Sequence, residues 1–511
     1  MSDRESSGSA CALIAFEGTR VDQRIADLVA DPRVAGVTLY GAINIEDAEQ
    51  TRRLTDDLQR AARRPIIVAV DQEGGQLNAA GPDTTPFAGN MALGAVGDVD
   101  LAWQVGSATG LELAALGINV NYAPAADIAT RPHNPSLGIR SFGEDPGAVS
   151  RLTAAMVRGL QSSGVAATLK HFPGKGEAEV DPHLELPVLD LDLERLQGVE
   201  FAPFRAGIEA GAQLLMIGHY GLPAVTGDRN LPASASSLVM RELVRTDLGF
   251  DGLIITDALD MGAFDGVSLE EPLAAGADLL LYGPAQAGTL PLISQSSPRL
   301  DRMLAWLSGF SQPNLSVIGS SRQAGLAAEL AGRSITLVRD EQNLLPLKLA
   351  AEDRLLAVMP RPTDLTPADT SSLVQPGLAN AIRGRHPATT EITVPYHPSD
   401  VEIAAVVAAA TAHDVIIVGT IDASPAQTRL VRALVGPGTE PRRPVVTVAL
   451  RTPYDLCSYP EAGTHVATYG IHPPTMAALA DALVGLIPMT GRLPVALPGL
   501  YDIGHGLVRA T

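Results

Sequence analysis

Three side chains in this sequence have the types and settings for nucleophilic and acid–base work. Asp257 closes the apolar run DGLIITDAL, and Asp181 and His183 stand two residues apart in the loop KHFPGKGEAEVDPH (Lys170–His183). A carboxylate ending a buried strand lies in low dielectric, where a nearby cation such as Lys170 keeps it ionised and positioned. That makes Asp257 the candidate nucleophile. A carboxylate beside an imidazole fixes the ring's tautomer and supports the imidazolium that forms on proton uptake, which suits the Asp181–His183 pair for acid–base transfer; as a bare spacing it fits a loop brace equally well. Two such groups on opposite sides of a bond suffice to cleave a glycoside. The Gly and Pro residues give the loop the turns to fold back over a site, and closure on a substrate is expected of it.

These groups need elements to hold them. CALIAF, VAGVTLY, PIIVAVD, INVNYAP, VAATLKHF, AQLLMIGHY, DGLIITDAL and ADLLLYG are eight strand-like runs. Amphipathic stretches such as AEQTRRLTDDLQRAA and GAVSRLTAAMVRGLQSSG separate most of them. Eight strands with intervening helices predict an α/β fold of the (β/α)8 TIM-barrel type, whose chemistry gathers at the carboxyl ends of the strands. The polar residues at those ends are Asp71, Asp127, Lys170, His171, His219 and Asp257. Asp127 is expected to be structural, and His219 either a wall residue or a contact.

The serine-, glycine- and proline-rich segment SGFSQPNLSVIGSSRQ marks a linker, dividing the chain into a catalytic barrel over residues 1–320 and a smaller α/β sandwich domain over 321–511. The second part alternates again, with SITLV, LLAVM, DVIIVGT, PVVTVAL and THVATYG as strands and EIAAVVAAATA and TMAALADALVGLI as helices. Fully apolar strands imply a mostly parallel sheet covered on both faces. No phosphate-cradling glycine motif follows any strand, and no cofactor is expected. A metal-dependent barrel hydrolase would begin with paired histidines on an early strand; the first strand here ends AFEGT, so no metal is expected.

With 511 residues, 46% hydrophobic and 18% charged, the chain has ample material for two cores. A formal charge of −20 excludes a polyanionic partner, since nucleic-acid affinity comes from neutralising phosphates with Lys and Arg. No apolar run reaches the roughly 18 residues of a membrane span, and no signal peptide is visible. Cys11 and Cys457 lie far apart, so no disulfide framework is expected and the cytoplasm is the expected compartment.

VDQEGG, NPSLGIRSFGEDP, LKHFPGKGEAEVDPH, GFDGLIITDALDMGA and AAGADLLL resemble segments of the glycoside hydrolase family 3 β-N-acetylhexosaminidases, the bacterial type that removes terminal N-acetylglucosamine from peptidoglycan fragments. SITLVRDEQNLLPL, IIVGTIDAS, VVTVALRTPYDL, ATYGIHPPTMAAL and GLYDIGHGL look like the family's two-domain members, so the resemblance runs nearly end to end. It implies an aspartate nucleophile at Asp257 and a histidine acid/base at His183 with Asp181 as its partner. It implies sugar-binding roles for Asp71, Arg140, Lys170 and His171, and a small carbohydrate as the substrate. Without the resemblance, Arg140 could serve only to staple its loop to Glu144 or Asp145.

The chain departs from the family pattern at Lys175, where FPGHG is usual, at Gln76 and Ala79, where arginines are common, and at Pro182, where serine is. Lys175 is expected to be a solvated loop lysine. The loss of basic residues near Ala79 bears on the muropeptide substrate, and the short connection after Asp257 predicts an open flank to the mouth. A β-N-acetylglucosaminide phosphorylase and a catalytically lapsed sugar-binding protein are the alternative readings.

Overall fold

The computed structural model describes residues 10–289, 297–436 and 443–509. Eight parallel strands close into a barrel: β1 (Ala12–Ile14), β2 (Val34–Thr38), β3 (Ile67–Val70), β4 (Val120–Asn121), β5 (Ala166–Phe172), β6 (Leu214–Ile217), β7 (Leu253–Ala258) and β8 (Leu279–Leu281). Each pairs with its neighbours in sequence, and β8 returns to β1. The eight apolar runs of the sequence are these eight strands. Alternate residues such as Ile67 and Ala69, Leu214 and Met216, and Leu253 and Ile255 share one buried cluster that fills the barrel.

The helices form where their patterns and caps agree. Ala48–Ala62 begins at Asp47, whose side chain accepts from the Gln50 amide, and buries Leu54, Leu58 and Ala62 at four-residue spacing. Asp145 caps Pro146–Ser162 in the same way, with Pro146 at the first turn, where its missing N–H costs nothing.

The second sheet contains β9 (Thr336–Asp340), β10 (Leu355–Pro360), β11 (Thr389–Val394), β12 (Val415–Thr420), β13 (Val445–Ala449) and β14 (Thr464–Ala467), in the order β9-β14-β13-β12-β10-β11. All neighbours are parallel except β9 on β14. The sequence reading lacks β11, an edge strand whose TTEITV carries exposed polar residues in place of an apolar run. The helix Ser321–Ser334 packs on Asn90–Val96 and Val99–Ala115 of the barrel as well as on Pro473–Leu483 of the second sheet's cover.

The connection after β3 clasps the two parts together. Gln76 offers its carbonyl to Thr370 N–H at 2.8 Å, and the Asn78 amide donates to Thr370 Oγ1 at 3.0 Å. Gln76 Oε1 also accepts from Ile139 N–H at 3.2 Å, while Ala79 is buried in the apolar layer of that side. Both departures from the family pattern thus sit in packing and interdomain contacts. Among the described residues no helix is long and apolar enough to cross a membrane.

Candidate active site

The carboxyl ends of β3, β5 and β7 and the loops after β4 and β5 meet at one mouth. Asp71 and Glu73 follow β3 two residues apart, so extended backbone turns both to the same side. Lys170 Nζ, 1% exposed, lies 2.5 Å from Asp71 Oδ1 and 2.5 Å from Glu73 Oε1. Arg140 grips Glu73 with two hydrogen bonds, Nε to Oε2 at 2.9 Å and Nη2 to Oε1 at 2.8 Å. Its Nη1 donates to the Ser136 carbonyl at 3.1 Å. Arg140 therefore does not pair with Glu144 or Asp145: Glu144 accepts instead from Ala496 N–H, and Asp145 caps the helix. Burial pushes the Glu73 carboxyl up, but Arg140 and Lys170 outweigh it and hold it well below the usual carboxylate range. Burial likewise works against the Lys170 ammonium, and Asp71 and Glu73 more than restore its charge.

His171 and Asp127 extend this lattice. The His171 Nδ1–H donates to Asp127 Oδ2 at 2.8 Å, and Asp127 Oδ1 takes the Lys175 backbone N–H at 2.9 Å. Burial, with Lys175 and Arg140 nearby, holds the imidazole well below its ordinary value, so it is neutral. Its Nε2 lone pair faces Arg140 Nη2 at 3.3 Å. Asp127 is fully buried and orients both the histidine and the start of the loop.

Lys175 corrects the sequence expectation. It is 2% exposed rather than solvated, and its Nζ reaches the Ser136 carbonyl at 3.3 Å. Burial, reinforced by Arg140, lowers its ammonium to about 7, with Asp127, Glu73 and Asp257 acting in the opposite direction. A lysine here is sheltered because the loop folds inward onto Asp127, which no local pattern reveals.

Asp257 lies at the end of β7, partly open to the mouth. Its Oδ1 accepts the Ala258 N–H at 2.9 Å, the single hydrogen bond it takes among the described residues. Burial opposes its charge, but its polar surroundings, the Ala258 amide among them, hold it below the ordinary value. His183 Nδ1 lies 2.6 Å from Asp181 Oδ1, which leaves Nε2 of a quarter-exposed ring for proton exchange. Burial raises the Asp181 carboxyl, and its hydrogen bonds from His183 outweigh that, so it stays ionised beside the ring. The loop is latched to the turn after Asp257: Gly262 N–H donates to the His183 carbonyl at 3.1 Å and Ala263 N–H to the Pro182 carbonyl at 3.0 Å. The short connection does not leave that flank open. It seats the loop that carries His183, and a side chain at Gly262 would meet the Leu184 carbonyl.

His219 is fully buried with both ring nitrogens engaged. Nε2 faces the Ala258 carbonyl at 3.0 Å, which only accepts, so Nε2 carries the proton and Nδ1 accepts from Ser234 Oγ at 2.6 Å. Neither nitrogen is left for a substrate, and the ring stands as a wall against Phe264. The sequence reading also lacks Glu73 and Ser136, although Glu73 shares VDQEGG and its face with Asp71. Among the described residues, no three His, Cys, Asp or Glu side chains are grouped to hold a metal ion.

The arrangement gathers a paired polar lattice, a carboxylate with one hydrogen bond and an imidazole held by a carboxylate at a barrel mouth. Residues 10–296 match the model of the glycosyl hydrolase family 3 N-terminal domain. Beta-hexosaminidase A of Pseudoalteromonas piscicida is 28% identical, covering 94% of this chain and 92% of its own. A beta-N-acetylglucosaminidase/beta-glucosidase of Cellulomonas fimi is 28% identical over 98% of this chain and 95% of its own. The solved glycoside hydrolase family 3 beta-N-acetylglucosaminidase of Paenibacillus sp. str. FPU-7 superposes with a TM-score of 0.86 at 30% identity, covering 97% of this chain and 99% of that one.

Proposed function

The chain belongs to glycosyl hydrolase family 3, and from that premise we propose that it is a retaining exo-glycosidase removing β-linked N-acetylglucosamine from the non-reducing end of peptidoglycan or chitin-type fragments. The observation that carries the reading is the His183–Asp181 pair, latched across Gly262 and Ala263 on the turn that follows Asp257. The names of the relatives from Pseudoalteromonas and Paenibacillus support the N-acetylated sugar.

In this reading Asp71, Lys170, Arg140 and His171 fix the terminal ring, an orienting task more than a chemical one. The Asp257 carboxylate forms a bond to the anomeric carbon as the glycosidic C–O bond breaks, and the His183 imidazolium gives its Nε2 proton to the departing oxygen. The neutral imidazole then takes a proton from water, whose oxygen displaces Asp257 and restores both groups. Asp181, accepting from Nδ1–H throughout, holds the ring's tautomer.

A panel of aryl glycosides, run with and without phosphate, tests the reading. The expected result is turnover of the N-acetylglucosaminide well above the glucoside, with free N-acetylglucosamine as product even in excess phosphate. A dominant sugar 1-phosphate, or no turnover of any aryl glycoside, overturns it.

A further inference from the structure

The segments IIVGTIDAS and VVTVALRTPYDL of the second sheet have no task in the reaction above. Both pass over its carboxyl edge, after β12 and after β13. The chain runs from β10 outward to β11 and then crosses back to β12 on the other side of β10. This is a topological switch point, and in open α/β sheets the crevice outside the strand carboxyl ends at such a point is where ligands bind. A cavity of about 260 Å³ lies there, near the lower end of the roughly 300–1,000 Å³ of small-molecule sites. Thr366 beyond β10, Asp422 after β12, and Arg451 and Tyr454 after β13 line it, and the barrel segment 129–138 forms its opposite wall.

The polar groups of this cavity are incompletely satisfied. Tyr454 is 8% exposed and its Oη has no hydrogen-bond partner among the described residues; Thr366 Oγ1 is in the same state. A buried polar atom left so is costly, and a ligand hydroxyl would offset that cost. Arg451 is clamped between Asp369 Oδ2, 2.6 Å from Nη1, and Asp422 Oδ2, 3.1 Å from Nε. Asp422 holds a left-handed backbone at φ 42°. Two carboxylates clamp Arg451 and Glu179 holds Arg131, so neither guanidinium on the walls is left for an anion. Carboxylate, phenol and hydroxyl on different walls suit the vicinal hydroxyls of a neutral ring.

We propose that this interdomain cavity, which adjoins the polar lattice of the mouth at Ser136, is a second binding site for a neutral polyhydroxylated ligand the size of one sugar ring. Its barrel wall is bonded to the acid–base loop: Asn134 Nδ2 donates to the carbonyls of Lys175 at 2.7 Å and Gly176 at 2.9 Å, and Arg131 pairs with Glu179 at 2.7 Å. An occupant therefore presses on the segment that carries His183. The same chemistry could be met by a free sugar acting as an effector or by the leaving-group end of an oligosaccharide substrate.

Calorimetric titration of the full chain with N-acetylglucosamine, glucose and N,N′-diacetylchitobiose tests the site. At least one of these probes is expected to bind at two equivalents. Tyr454→Phe combined with Thr366→Val, which removes only the two hydroxyls, should weaken one equivalent tenfold or more and leave the other; Ser458→Trp should fill the cavity and abolish it. A single equivalent with all three probes, or two that ignore these substitutions, overturns the proposal. This arm stands whatever reaction the mouth performs. Kinetics assign the source: an effector changes aryl-glycoside turnover in wild type and not in the double variant, whereas a substrate end raises KM for chitobiose about fivefold in the variant and spares the aryl glycoside.

Discussion

On one wall of the barrel mouth, Lys170, Glu73 and Arg140 are all but fully buried and saturate one another with short bonds. On the other, Asp257 takes one hydrogen bond, from Ala258, and His183 keeps one nitrogen unengaged on a quarter-exposed ring. The first wall carries its desolvation inside a closed lattice, so its donors are aimed before a substrate arrives, the arrangement from which electrostatic preorganisation draws its effect. The second wall leaves lone pairs unspent on the groups proposed to make and break bonds. Binding groups are stabilised by being paired, and reacting groups are useful because they are not.

The largest expected effect falls on the under-paired wall. Asp257→Ala should lower kcat by about 10⁴-fold or more while leaving the melting temperature nearly unchanged, because few contacts are lost. A variant that also unfolds would place Asp257 in the structural lattice and erase the contrast. His183→Ala should slow glycosides with poor leaving groups by about 10²–10⁴-fold and activated aryl glycosides only a few-fold, since only the former need the proton. Equal losses on both would remove the histidine from the acid role.

The paired wall should respond in stability. Glu73→Gln leaves Lys170 and Arg140 facing each other without their shared counter-charge, and a loss of about 3–5 kcal/mol in chemical denaturation is expected. Asp257→Asn should change stability far less in the same assay. Similar values for the two would mean that the walls do not differ in kind.

Lys175 sharpens the comparison through pH. With its ammonium lowered to about 7 from the ordinary 10.5, the unfolded chain binds a proton between those values that the folded chain has released, so this group's contribution to stability rises as pH rises through that window. At roughly 1.4 kcal/mol per pH unit, Lys175→Met should gain about 2–4 kcal/mol on wild type as the pH falls from 10 to 7. A stability difference independent of pH would mean that the lysine is not a buried cation.

Much of this was legible in the sequence. The barrel strands announce themselves as short apolar runs, and the polar residues at their ends mark the mouth because barrel geometry sends those ends to one place. What escaped depends on contacts between distant segments. Lys175 looks solvated in a Gly/Pro loop until the fold seats it near Asp127, Glu73 and Arg140. Glu73 could have been found from its two-residue spacing with Asp71 on extended backbone. His219, by contrast, sits at a strand end like the others, and only the positions of Ser234 and the Ala258 carbonyl reveal that both of its nitrogens are already engaged. The edge strand β11 was missed because half-exposed strands alternate polar and apolar residues.

In the proposed mechanism Asp257 attacks the anomeric carbon and His183 exchanges protons in two displacements, each inverting the anomeric centre. Proton NMR of the first product released from an aryl β-N-acetylglucosaminide, followed before mutarotation, tests it most directly. β-N-acetylglucosamine is expected first, with the α anomer growing in later; α anomer as the initial product overturns the double-displacement mechanism.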